Sequence, residues 1–128
     1  MNQELKQLLN DVHVKPGLYI GEPSLEKLCA FVDGYLECMR KRDHAVSEYL
    51  SGFQIFVEQY YHIFGNINFH HHWSRLISFF EPTKERAFDK FYELLELYLK
   101  VESEYQDQEK LMKLTLLQVQ KKLDIEDQ

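Results

Sequence analysis

The chain has 128 residues, 21 of them acidic and 15 basic, for a formal charge of −6. That length suits one domain that buries its own core without staples, and the acidity argues against nucleic acid as a partner, since phosphates need Lys and Arg. Cys29 and Cys38 are too few and too local for a disulfide scaffold. The start lacks the apolar run of a signal peptide, and no segment approaches the roughly 20 apolar residues of a membrane span. A cytoplasmic protein without a membrane partner is the expectation.

Apolar spacing is helical from the start. Leu5, Leu8, Leu9 and Val12 describe a short amphipathic helix that leads into Lys15-Pro16-Gly17-Leu18-Tyr19-Ile20-Gly21. There the proline fixes one backbone angle and the glycines permit unusual ones, which predicts a shaped turn followed by a short extended piece. Ser24 is placed to cap the next helix, whose apolar side carries Leu25, Leu28, Cys29, Phe31, Val32, Tyr35, Leu36 and Met39. Gly34 inside it costs about 1 kcal/mol relative to Ala, so a close approach by a neighbouring element is expected there.

Ser51-Gly52-Phe53-Gln54 reads as a capping box, with Leu50 and Ile55 as a hydrophobic staple. The helix it opens carries Phe53, Ile55, Phe56, Val57, Tyr60, Tyr61 and Ile63, and is expected to be the most buried. Gly65-Asn66 is read as its end, and Asn68 as the cap of a shorter helix bearing Trp73, Leu76, Ile77 and Phe80. Pro82-Thr83 then breaks the chain and caps a long helix to about Val101, with Phe88, Phe91, Leu94, Leu95, Tyr98 and Leu99 on its buried side. In the tail, Met112, Leu116, Val119 and Leu123 form one stripe, while Leu114 and Leu117 project towards another side, with Leu111 between the two. The expectation is a last helix wedged between others; the alternative is one face docked on the core and the other on a partner or second copy. The run is too short for a sustained coiled coil.

Catalytic chemistry finds little support. His70-His71-His72 cannot converge on one metal from a helix, because successive residues point about 100° apart. His62 and Glu58, four apart, could hold a surface metal, but solvated histidines are the expected state. Cys38 and His44 have no third group to orient a dyad, and no Gly-rich phosphate cradle exists. No catalytic residue, metal or cofactor is expected. Hydrolysis at a metal held by His62 and the His70–His72 run is the least implausible enzymatic reading.

Lys15 to Gly21 resembles the Arg-Pro-Gly-Met-Tyr-Ile-Gly stretch of gyrase-type ATPase domains. Those domains, however, carry a magnesium-binding Asn on the following helix and an Asp-Gly-x-Gly adenine segment, and this chain has neither. The resemblance of Lys15 to Tyr98 to a family of small helical bacterial immunity proteins, found beside polymorphic or contact-dependent inhibition toxins, is broader. The turn is followed by Leu28-Cys29-Ala30-Phe31-Val32-Asp33-Gly34-Tyr35, similar to that family's Leu-x-x-Phe-Ile-x-Gly-Tyr helix. Phe53, Phe56, Val57 and Tyr60 then match an aromatic helix, Trp73 and Ile77 a Trp-x-x-x-Ile segment, and Ala87-Phe88, Phe91, Leu94 and Leu95 a closing helix. The tail beyond Tyr105 departs from the pattern.

The resemblance implies an all-α, bundle-like binder of a cognate toxin, in the first place a basic nuclease domain. On the long helix Glu85, Asp89, Glu93 and Glu96 fall within roughly an 80° sector, an acidic stripe suited to steering a basic partner. Tyr92 beside it is a candidate aromatic anchor. A solvated polar face explains the same stripe without any partner. The sequence thus predicts one helical domain, 1–128, of about five or six helices, with 106–128 as a C-terminal helical extension. Its predicted role is immunity protein; the alternative is a scaffold or regulatory protein that homodimerises through the C-terminal helix.

Overall fold

A computed structural model describes residues 1–42, 50–63 and 72–126. Those residues form seven helices: α1 (Gln3–Val14), α2 (Pro16–Tyr19), α3 (Leu25–Arg42), α4 (Phe53–Tyr60), α5 (Trp73–Phe80), α6 (Lys84–Lys100) and α7 (Glu102–Glu126). No strand occurs among them, so the all-α expectation holds, with more helices than the five or six expected. The extra one is α2. Pro16 occupies the first helical position, where its missing N–H costs nothing. The Ile20 and Gly21 amides both donate to the Pro16 carbonyl, and Gly21 leaves the turn at φ +86°. The Pro-Gly segment is therefore one turn of helix, in place of the extended piece.

The centre of the bundle is α6 rather than α4. It buries Ala87, Phe88, Phe91, Tyr92, Leu94, Leu95 and Tyr98, whereas α4 buries only Phe53 and Val57. Phe53 is nevertheless the aromatic hub. Its ring meets Phe56, Trp73, Phe91 and Tyr98 at centroid distances of 5.0–6.0 Å, mostly edge to face, the geometry that ring quadrupoles favour. Thr83 caps α6 by accepting from the Arg86 amide at 3.1 Å, and Ser24 accepts from the Lys27 amide at 3.3 Å, as expected of both.

The capping box at Ser51 does not form. Gly52 is the N-cap of α4, with φ +85° and no side-chain cap. The Ser51 hydroxyl donates instead to Glu109 on α7, and the Gln54 side-chain oxygen accepts from the Trp73 amide at 2.7 Å, tying α4 to α5. Long-range partners outcompete the local motif here. Gly34 is exposed and has open space where a Cβ would be, so no close approach explains it. The expected signals at Gly65-Asn66 and Asn68 lie outside the described residues; within them, His72 caps α5, its ring nitrogen accepting from the Ser74 amide.

The tail is where expectation and structure differ most. Val101 alone separates α6 from α7, which is helical from Glu102 onward. α7 docks on α4 through Tyr105, Gln106 and Glu109, then leaves the bundle: Leu111, Met112, Leu114, Leu116, Leu117, Val119 and Leu123 are all exposed. Among the described residues it is not wedged between other helices. No helix among the described residues is long and apolar enough to cross a membrane.

Candidate partner-binding groove

α1 lies against the middle of α6. Leu5, Leu9 and Val12 point into the core from one side of α1, which leaves Lys6, Asn10 and His13, spaced i, i+4 and i+7, along its outer flank. Arg86, Asp89, Glu93 and Glu96 recur at three- and four-residue intervals on α6 and run alongside. Together with Tyr92 and Leu99 these side chains enclose an open groove of about 570 Å³.

Tyr92 joins the two walls. It is only 8% exposed, and its hydroxyl donates to the Leu9 carbonyl at 2.6 Å. Burial pushes that hydroxyl well above the ordinary tyrosine range. The His13 ring stacks on it with centroids 3.9 Å apart and planes 7° from parallel, and edges against Phe88 at 6.0 Å. The expected projecting anchor is therefore the groove floor, already committed to α1; its face is covered by His13.

Three of the four carboxylates of the predicted stripe line one wall. Asp89 stands 4.0 Å from His13 Nε2, and Glu93 stands 3.5 Å from Lys90 Nζ. Lys90 in turn donates to the Tyr60 hydroxyl at 2.6 Å; that bond, with Glu93 beside it, raises the ammonium pKa despite some burial. Glu96 makes no ion pair among the described residues. Glu85 does not line the groove; it sits in the first turn of α6, where the helix dipole favours a negative charge. Sequence reasoning missed Lys6, Asn10, His13 and Arg86. The polar spacing on α1 was visible, but nothing local shows that this flank lies opposite α6.

The other chemistry-bearing residues stay apart. Among the described residues no three His, Cys, Asp or Glu side chains gather as a metal site. His62 is the exposed residue just past α4, at φ +57°; His70, His71 and His44 lie outside the described residues. Cys29 faces a second groove of about 570 Å³ lined by Glu26, Ser74, Arg75, Ser78 and Phe79. Burial raises its thiol pKa to about 12, so it is a protonated, unreactive sulfur at neutral pH.

Comparison with known proteins gives no match. No family model, curated protein or solved structure is significantly similar to the chain. The immunity-family resemblance therefore rests on the turn and helix residues quoted above. What the groove itself supplies is a row of accessible carboxylates on a firmly packed helix, facing Lys6, Asn10 and His13 on α1.

Proposed function

We propose that this chain is an immunity-type inhibitor that binds a basic protein, in the first place a nuclease toxin, through the α1–α6 groove. The observation that carries this reading is the alignment of Asp89, Glu93 and Glu96 on one wall. Among the described helices theirs buries the most residues, so binding does not have to order the backbone that carries them. A partner that fits directs ammonium or guanidinium groups at α6 and an acceptor at Lys6 and Arg86. Attraction of this kind steers encounter and suppresses wrong partners. It needs no catalytic residue and no cofactor on this side.

The test is co-expression with the protein encoded immediately upstream, with co-purification and growth rescue. The reading requires that the neighbour be toxic alone, that a stable complex form and that growth return. Glu93→Lys with Glu96→Lys should then slow association at least 10-fold at low salt and flatten its salt dependence. A neighbour that is harmless or does not bind overturns the toxin reading. Unchanged association by the charge-reversed protein overturns the groove as the binding surface.

One observation favours a second reading, a helical scaffold or regulatory protein that associates with itself. α7 carries a long row of apolar side chains, Leu111 to Leu123, that stay exposed.

A further inference from the structure

The apolar stripe on α7 extends further back than its exposed part. Tyr105 and Glu109 continue Met112, Leu116, Val119 and Leu123 at the same alternating spacing of four and three. Both residues face α4 and the turn before it: Tyr105 edges its ring against Phe56 at 5.3 Å and donates to Gln59, and Glu109 accepts from Ser51. One face of α7 thus packs on the bundle for its first two turns and then continues beyond the bundle uncovered.

We propose that a second copy of this chain covers that face, the two α7 overhangs pairing antiparallel about a two-fold axis level with Leu117 and Gln118. This rests on the self-association reading and specifies its geometry. At this register Met112 meets Leu123 of the other copy, and Leu116 meets its Val119, so every exposed residue of the stripe finds an apolar partner. A two-fold pair requires such self-complementarity. The flanking positions pair as Lys113 with Gln120 and Thr115 with Lys122, neither pair opposing like charges. Asp124 of each copy comes to lie alongside Lys110 and Lys113 of the other, opposite charges on the rim of the seam.

The body of the protein decides the direction. The stripe faces the same side as α4, so a parallel pair would drive both bundles into the same space; the antiparallel pair sets them at opposite ends. The seam is about two heptads long, shorter than a sustained coiled coil. Its four apolar side chains are 49–67% exposed, which leaves on the order of 200 Å² of open apolar surface per copy. With the polar flanks that places the pair at the small, reversible end of protein interfaces. Leu111, Leu114 and Leu117 stay on its outer surface.

The test begins with sedimentation of the full chain from about 1 to 200 μM. A rise from 15.4 kDa towards twice that mass is expected, with Leu116→Glu/Val119→Glu holding the chain at the monomer mass and its circular dichroism at about 1 μM matching that of wild type. A monomer throughout, or a dimer indifferent to those substitutions, overturns self-association through α7. Direction is read separately by oxidation in a Cys38→Ser background, since Cys38 is exposed. Met112→Cys and Leu123→Cys should each fail to cross-link alone and should cross-link when mixed. In the antiparallel pair two copies of position 112 lie about 16 Å apart along the axis, at about 1.5 Å per residue. Cross-linking of Met112→Cys with itself would leave the dimer standing and overturn the antiparallel arrangement.

Discussion

Gly52 is the residue on which the seating of α7 depends. It is buried, its φ is +85°, and a Cβ there would lie 2.5 Å from the carbonyl carbon and oxygen of Tyr105 and 2.9 Å from the Gln106 nitrogen. Those are backbone atoms and cannot swing aside as a side chain would. Gly52→Ala should therefore cost twice over. The left-handed conformation costs about 1–2 kcal/mol for a residue with a Cβ. Restoring ordinary contact requires α7 to withdraw by roughly 1 Å, and overpacking of that kind costs about 1–3 kcal/mol more. The sum, about 2–5 kcal/mol, is a large part of a typical stability of about 5–15 kcal/mol. Gly21→Ala isolates the first cost, because Gly21 has φ +86° and nothing within 4 Å of the added carbon. Urea unfolding of wild type and both variants measures the difference, with hydrogen exchange around Tyr105 to Glu109 reporting whether α7 loosens locally. Gly52→Ala no less stable than Gly21→Ala, with unchanged exchange in α7, would refute the close approach.

Two further predictions follow from buried ionisable groups. Burial holds the Tyr92 and Tyr98 hydroxyls above their ordinary value of 10.0, Tyr98 with added repulsion from Glu102 and Glu109. Above pH 10 the unfolded chain releases protons that the native chain keeps, so stability falls as pH rises, by about 1.4 kcal/mol per pH unit for each tyrosine. Urea midpoints between pH 9 and pH 11.5 should show this decline, less steep by one tyrosine's share in Tyr92→Phe; an equal slope in that variant would sink the argument. The cysteines should separate under a thiol reagent at pH 8: Cys38, exposed, reacts promptly, while Cys29, half-buried and raised to about 12, reacts far more slowly. Equal rates in the folded protein would contradict the burial of Cys29.

What the sequence made legible was the part of the fold written in single-helix periodicity. The apolar faces of α1, α3, α5 and α6 are largely the ones their spacing predicts, Phe80 (exposed) and Tyr92 (buried) being the exceptions, and Ser24 and Thr83 cap as their positions suggest. The failures share one cause. Ser51 and Gln54 carry a good local motif, but Glu109 and the Trp73 amide, 58 and 19 residues away, take those side chains instead. Tyr92 sits beside an acidic stripe by helical geometry, yet the Leu9 carbonyl 83 residues away claims its hydroxyl. Periodicity says which side of a helix is apolar; it does not say what that side meets. The same gap hid the basic flank of the groove on α1 and left the tail open to being read as wedged.

The two proposed surfaces place opposite demands on the chain, and different elements meet them. A groove that steers a charged partner benefits from charges held still, because every side chain ordered on binding subtracts from affinity. Asp89, Glu93 and Glu96 stand on α6, whose seven buried residues include three of the rings around Phe53 or its neighbours, Phe91, Tyr92 and Tyr98. The α7 overhang is the reverse case. From 110 to 124 none of its residues is buried, so that part of the helix stands on propensity alone. Leu, Lys and Gln favour helix, yet a stretch of about 15 residues is near the limit of what persists in water without packing. The stripe therefore gains helical order and a covered apolar face in one step, when a second copy arrives. On that logic the mean helicity of the chain rises with concentration over the range in which its mass doubles, and Leu116→Glu/Val119→Glu abolishes both changes together. A mass that doubles at constant helicity would mean that the overhang is already ordered as a monomer, and that packing beyond the stripe holds it.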